Sequence, residues 1–286
     1  MTALNEFAKY LDTKMVQPLR QVLVGRKLVT TTAPAGFGVA SVEWATITEM
    51  SDGMVSYTFG DGNEDTLGFT LTTKKIPVYW KDYRIDRRAY ESFRAKNLNI
   101  DTDAATSAAF VAGKVEDAAI IDGVTRDGTN YDIPGLYQGA GNNYSTVKDF
   151  GTYGNAVDAV AGAMALLSAD NVPVDVPMNL VLNPTQYHEL LASMSTAGVR
   201  EIEQVRDLLN GGNIYSTPAI NAGKGLLLPA PPALDPYVDF FLAVDWRNEL
   251  GTDSEHPDTG DIIGRVYSAG ILRIKQSNAI CKLSSI

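Results

Sequence analysis

The sequence is poor in the residues that most often carry chemistry. Its 286 residues include one cysteine and two histidines. A lone Cys281 excludes a disulfide within the chain and a cysteine-built zinc site. It reads as a small buried apolar residue in a chain that matures in a reducing compartment. His188 has no ligand partner four residues on, so it reads as a surface or partly packed histidine. No apolar run approaches the roughly 20 residues that cross a bilayer. The first 27 residues lack a basic head followed by an apolar block, so a signal peptide is not expected. Positive charge is also scarce: 24 Lys and Arg stand against 34 Asp and Glu, a net charge of −10. A sequence-independent nucleic-acid binder neutralises phosphates with the opposite balance, so this chain on average repels DNA and RNA. That leaves open enclosing nucleic acid without gripping it.

The common catalytic signatures are missing too. There is no GxxxxGK[ST], no GxSxG and no HExxH. Gly36-Phe37-Gly38 lacks the third glycine and the strand-to-helix setting of a dinucleotide loop. Asp61, Asn63 and Asp65 mimic the opening of a calcium loop. Thr66 stands where that loop needs glycine, and no glutamate follows at the twelfth position. A solvated acidic turn is the reading of that stretch. His256, in GTDSEHPDTGD with Asp253, Glu255, Asp258 and Asp261, is the one place where an ion site or an enzyme's acidic loop finds support. The residues themselves thus favour a binding or structural role, with no catalytic, cofactor-binding or metal-ligating residue assigned.

What is present is a sequence of extended and helical stretches. Leu4, Phe7, Ala8, Leu11 and Met15 share one face of an amphipathic N-terminal helix limited by Pro18. Pro34, Gly36 and Gly38 predict an extended, flexible arm. Residues 42–80 alternate as strands: Val55, Tyr57, Phe59; then Leu67, Phe69, Leu71; then Ile76, Val78, Trp80. The turn cluster GDGNED between the first two predicts a long hairpin with its tip near Gly60–Asp65. KDYRIDRRAYESFRAKN is dense in Lys81, Arg84, Arg87, Arg88, Arg94 and Lys96, with acids interleaved. It reads as a solvated helix or, because arginine pairs carboxylates bidentately, as a contact between subunits.

A long helix follows, with Asp101 or Thr102 as its cap and Gly123 as its stop. Ala104, Ala108, Val111, Ala112, Val115, Ala118 and Ala119 recur at helical spacing and predict a smooth buried face on a rod of about 30 Å. Glu116 and Asp117 are consecutive, about 100° apart on that rod, and cannot converge on one small substrate as an acid/base pair. Further on, NAVDAVAGAMALLSAD and REIEQVRDLLNGG predict helices. PMNLVLNPTQYHELLASM predicts a strand, then a helix with Asn183 as N-cap and Pro184 in its first turn. VDFFLAVDW and VYSAGILRIKQSNAICKL predict closing strands.

This order of elements resembles the major capsid proteins of tailed phages, of the fold named after a Hong Kong phage, and their cellular relatives, the encapsulins. GRKLVTTTAPAGFGVASVEW is similar to the encapsulin pattern of a basic pair, an apolar strand and P-x-G-x-G-x-A-x-V. VEDAAIIDG resembles the run that closes the spine helix of that fold. YDIPGL resembles the turn after it, and NLVLNPTQYHELL the strand-to-helix passage of the axial domain. The resemblance implies an α+β, Hong Kong phage-type fold. Its parts would be an N-terminal helix and arm (1–40), an extended β-hairpin loop (41–80), a peripheral domain with a spine helix (81–130), an axial domain (131–236) and a C-terminal β return (237–286).

It further implies a major capsid protein that assembles as pentamers and hexamers of itself into an icosahedral particle around double-stranded DNA. Such a protein is located in the virion capsid and assembled in the host cytoplasm. Portal, scaffold or decoration proteins are its implied partners, with no membrane and no sequence-specific DNA contact. The alternative is an encapsulin-like compartment enclosing a cargo enzyme; a soluble α/β enzyme using the loop around His256 ranks third. Contacts between subunits are expected at Arg84, Arg87, Arg88, Glu116, Asp117, Asp61, Glu64 and Asp65, with Glu116 and Asp117 pairing Arg84 or Arg88 of the same or a neighbouring subunit.

Overall fold

The computed structural model describes residues 23–47, 68–88, 103–125, 131–252 and 261–286, with positions 55, 57, 58 and 91 between them. The hairpin tip, with Asp61, Glu64 and Asp65, lies outside the described residues. So do the N-terminal 22 residues and the loop carrying Asp253, Glu255, His256 and Asp258.

The described chain begins with one turn of helix, α1 (Gly25–Leu28), in which Gly25 and Leu28 are buried together with the flanking Val24 and Val29. The extended segment after it is held. The Thr32 N–H donates to the Phe240 carbonyl (3.0 Å), Ala35 N–H to Leu242 O (3.1 Å) and Gly36 N–H to Ala243 O (2.8 Å), while Phe240 N–H donates to Thr30 O (2.9 Å). The flexible arm read from Pro34 and its glycines is therefore docked along a strand. Those residues prevent a helix but leave the backbone free to pair.

The hairpin base is formed by β1 (Ser41–Ile47) and β2 (Phe69–Lys75), antiparallel with Ser41 opposite Lys75 and Ile47 opposite Phe69. Val42 packs with Ile133 and Ile271 and fastens the base to the body. Next comes β3 (Val78–Ile85), which continues through residues read as the start of a basic helix. Tyr79, Tyr83 and Ile85 alternate inward while Val78, Trp80 and Arg84 point out. That period of two outweighs the charge density.

Helix α2 (Asp103–Ile121) lies across the sheet that β3 shares with two long later strands. Ala105, Ala108 and Ala109 pack against Tyr83, Ile85, Ile262 and Val266. Small side chains let the helix approach the sheet closely. Gly123, at φ +118°, ends the helix in a conformation that L side chains rarely adopt. A side chain at Gly135 would run into the backbone of Asp122 and Gly123, so two chain segments touch there.

Two short strands, β4 (Gly123–Thr125) and β5 (Tyr131–Pro134), pair antiparallel. A five-stranded mixed sheet then forms a second layer, in spatial order β6 (Asn142–Tyr144), β12 (Cys281–Leu283), β9 (Gly225–Pro229), β7 (Met178–Leu182), β8 (Ile214–Ser216). Every residue of β7 and β9 is buried, as in strands covered on both faces; the one polar member, Asn179, accepts from the Asn213 N–H at 3.1 Å. Helices α3 (Asn155–Ala169), α4 (Pro184–Ala192) and α5 (Glu201–Leu208) surround it. They supply Ala159, Ala163, Leu167, Leu190 and Val205 to one core with Cys281 and Leu283. Asn183 caps α4 as expected, its Oδ1 accepting from the Thr185 N–H at 3.0 Å. Burial lifts the Cys281 thiol to about 11, so it stays a neutral apolar filler.

The chain returns through β10 (Val238–Thr252) and β11 (Ile262–Ile274), which give the three-stranded order β10-β11-β3. Register shifts on either side of Val244 mark an irregular stretch of β10 that contains Asp245. Such bulges re-aim side chains, and Asp245 here accepts from Arg26.

Candidate functional site

Several buried polar residues of this fold meet at a joint between α1, α2 and the long sheet. Arg26 of α1 reaches Glu116 of α2 through both of that residue's carboxylate oxygens. It also donates to Asp245 Oδ1 at 2.7 Å and to Ser268 Oγ of β11 at 2.9 Å. The guanidinium lies 5.8 Å from the Phe240 and Trp246 ring centroids. Three elements, α1, α2 and the long sheet, are thus tied by one planar cation, the geometry for which arginine is suited.

Asp117, beside Glu116 in sequence, faces a different direction. Its Oδ1 accepts from the N–H groups of Val24 (2.9 Å) and Gly25 (2.5 Å), the free donors at the start of α1. Its Oδ2 accepts from Thr217 Oγ1 at 3.3 Å, a residue that follows β8 in the second layer. Burial pushes the Asp117 carboxyl above its usual range; the Gly25, Val24 and Thr217 donors pull it back, and the neighbouring Glu116 charge raises it again. A raised carboxylate binds its proton more tightly in the folded chain than in the unfolded one. Its contribution to stability therefore falls as pH rises from the unfolded value through the folded one.

Glu116, at 1% exposure, meets Arg26 and neither Arg84 nor Arg88. Within the chain the expected pairing is corrected by the fold: the Arg84 end of β3 packs beside Ala105 and Ala108, about 12 Å or more along α2 from Glu116. Arg84 instead pairs with Asp261 (3.1 Å), whose other oxygen accepts from the Arg87 N–H at 3.0 Å. The Arg88 N–H donates to Asp86 Oδ1 at 2.6 Å. Arg84, Arg87 and Arg88 are all exposed. Arg26, Asp245 and Thr217 were not singled out by sequence. The one available signal was the Arg26-Lys27 pair inside the otherwise apolar VLVGRKLV.

The surface adds a second feature. Phe69 and Leu71 of β2, Val78 and Trp80 of β3, and Phe37 of the arm are exposed large apolar residues. Trp80 is covered on one side by Arg265, 4.7 Å from its centroid, which is itself paired with Asp82. Phe37 meets Tyr267 edge to face at 5.8 Å. The alternation read in the hairpin is present, but these side chains point away from their own chain. His188 is exposed and lies against Tyr187. Among the described residues no three His, Cys, Asp or Glu side chains are placed to hold a metal ion. None of the described helices is long and apolar enough to cross a membrane.

The family described as "Encapsulating protein for peroxidase" matches residues 4–240. The chain belongs to this encapsulin family of shell proteins. Among its encapsulin relatives, the type 1 shell protein EncA of Myxococcus xanthus is 29% identical over 284 residues, covering 98% of this chain and 92% of that protein. A diheme-cytochrome-encapsulin shell fusion protein of Kuenenia stuttgartiensis is 29% identical over 269 residues, covering 91% of this chain and 68% of its own. In structure the encapsulin chain resembles a virus-like particle from Pyrococcus furiosus, with TM-score 0.65 and 19% identity over 97% and 99% of the two chains. It also resembles the capsid of Myoviridae phage XM1, with TM-score 0.65 and 13% identity over 90% of each. The α+β capsid fold expected from the resemblance is the one observed.

Proposed function

We propose that this encapsulin is the repeating unit of a closed compartment that encloses a cargo protein. The observation that carries the reading is its likeness, over nearly its whole length, to a type 1 encapsulin shell. The compartment therefore takes precedence over the DNA-filled virion put first by sequence. Likeness to phage capsids at 13% identity supports the fold alone. A net charge of −10 opposes gripping DNA, though not merely enclosing it. The role is structural: copies contact copies, and the chemistry belongs to the cargo. The family's description and the cytochrome fusion both favour a redox enzyme as that cargo.

The outward apolar residues of β2 and β3 suit the interior of a contact between subunits, and Arg84, Arg87 and Arg88 its charged rim. The sequence GDGNED, with Asp61, Glu64 and Asp65, supplies charge of the opposite sign on the neighbouring copy. Glu116 and Asp117 serve such contacts indirectly by holding α1 and α2 in place. The contents of purified particles test the reading. Particles taken from the native host are expected to carry a stoichiometric second protein and no nuclease-protected nucleic acid. Protected double-stranded DNA of uniform length would establish the virion instead.

A further inference from the structure

The chain contains one Asp-Pro bond, Asp235–Pro236, and the fold places around it the groups that its cleavage needs. The bond lies in the turn that connects β9 to β10. The N–H groups of Tyr237 and Val238 both donate to the Leu234 carbonyl, at 2.9 and 3.0 Å, so Asp235 and Pro236 stand at the bend. Pro236 is exposed. It lines an open cleft of about 520 Å³ with Ala45, Thr46, Lys275 and Gln276, which gives water access to the bond.

The Asp235 carbonyl faces a fixed cation. Lys275 Nζ donates to the Asp235 backbone oxygen at 3.3 Å. The same Nζ pairs with Asp239 Oδ2 at 2.9 Å, and the Lys275 N–H donates to Tyr237 O at 2.8 Å. Arg273 holds Asp239 in turn through both carboxylate oxygens, at 2.7 and 2.6 Å. The Asp235 carboxylate is oriented as well. Its Oδ1 accepts from Thr30 Oγ1 at 2.5 Å, and Thr30 is held by the Phe240 N–H on its carbonyl. Among the described residues no donor meets Oδ2.

We infer that Asp235–Pro236 is a self-cleaving peptide bond, opened by the Asp235 carboxylate while Lys275 holds the carbonyl oxygen. Oδ2 attacks the carbonyl carbon of its own residue, a neighbour that needs no approach. Lys275 meets the negative charge that develops on the carbonyl oxygen. The C–N bond then breaks. The Pro236 nitrogen takes a proton from water and leaves as a secondary amine, and Asp235 is left as a cyclic anhydride. Water from the cleft adds to the anhydride and gives a free C-terminus, so one peptide bond is hydrolysed and one water is consumed. Because the Pro236 nitrogen carries no hydrogen, it cannot close an imide on the side chain instead. The reaction is a single turnover of the chain on itself. The pieces 1–235 and 236–286 stay together, since β11 pairs with β3 and β12 with β9 and β6. What is lost is the covalent tie between β9 and the long sheet. The inference does not require that the chain forms a shell.

Intact-mass measurement on the full chain, held folded in mildly acidic buffer, tests it. Pieces 1–235 and 236–286 are expected in equal amounts, with masses that sum to the chain plus one water. The folded chain is expected to cleave at least about tenfold faster than the same chain unfolded by guanidinium chloride in that buffer, because only the fold supplies the cation and the oriented carboxylate. Asp235→Asn is expected to stop the cut, and Lys275→Met to slow it roughly tenfold. The comparison of folded with unfolded native chain needs no variant, so it decides the matter even where a replacement upsets the turn. An uncut folded chain, a rate no faster than that of the unfolded chain, cleavage that persists in Asp235→Asn, or a folded Lys275→Met chain that cleaves at the native rate would each overturn the inference.

Discussion

Replacing Glu116 by lysine is expected to cost about 3–5 kcal/mol, the usual penalty for breaking a buried ion pair by removing one partner. The carboxylate is almost wholly buried and receives two of the Arg26 donors. A lysine there would face the guanidinium with like charge and leave Asp245 to neutralise both. At roughly 2 °C per kcal/mol for a chain of this size, the melting temperature should fall by about 6–10 °C. The effect should reach beyond α2, because Arg26 also holds α1 and the irregular turn of β10. A double change, Arg26→Met with Glu116→Leu, should recover most of the loss, since a hydrophobic pair avoids the desolvation of two charges. A Glu116→Lys chain that melts like the native one would show that the joint contributes nothing.

A loss of similar size is expected in the other layer. Glu201 is fully buried at the start of α5. One of its oxygens accepts from the N–H groups of Gly154 (3.0 Å), Ala156 (2.8 Å) and Val157 (3.2 Å), the free donors at the start of α3. The other accepts from Ser193 Oγ at 2.6 Å. Helix α3 has no capping side chain of its own, since Gly154 holds the N-cap position. Glu201→Ala would leave three backbone donors and a hydroxyl without their acceptor, at about 3 kcal/mol or more. Glu201→Gln keeps one oxygen in place and should lose less. Hydrogen exchange should localise the damage: amides of residues 154–160 should exchange faster in Glu201→Ala, while those of β10 and β11 remain protected. Unchanged exchange at the start of α3 would remove Glu201 from this role.

These two carboxylates illustrate what a single sequence conveys. Local features were legible. Asn183 and Pro184 announce a helix start because cap and donor are two residues apart. Part of β2 was legible because alternation has a period of two: Phe69 and Leu71 belong to the run read as a strand. The end of α2 was legible from Gly123. Features decided by a distant partner were not. Asp117 meets Val24 across 93 positions, and Glu116 meets Arg26 across 90. No local pattern distinguishes such a carboxylate from one on a solvated face. Helix α2 shows a subtler limit: its apolar residues occupy too much of its circumference for spacing to say which side meets the sheet. In β3 the charge of Lys81, Asp82 and Arg84 masked a strand whose inward residues are aromatic or apolar. In β2, alternation places Phe69 and Leu71 on one face, but whether that face meets its own chain depends on what lies beside it; Phe59 and Leu67, read with them, lie outside the described residues.

The account rests on the claim that those outward faces are covered by other copies of this chain. Negative-stain microscopy of the purified protein, with its sedimentation coefficient, tests this most directly. The account predicts closed hollow particles of one diameter, sedimenting as a single species far larger than a small oligomer. A stable monomer or a discrete oligomer of a few subunits, at concentrations where the chain is folded, would contradict it.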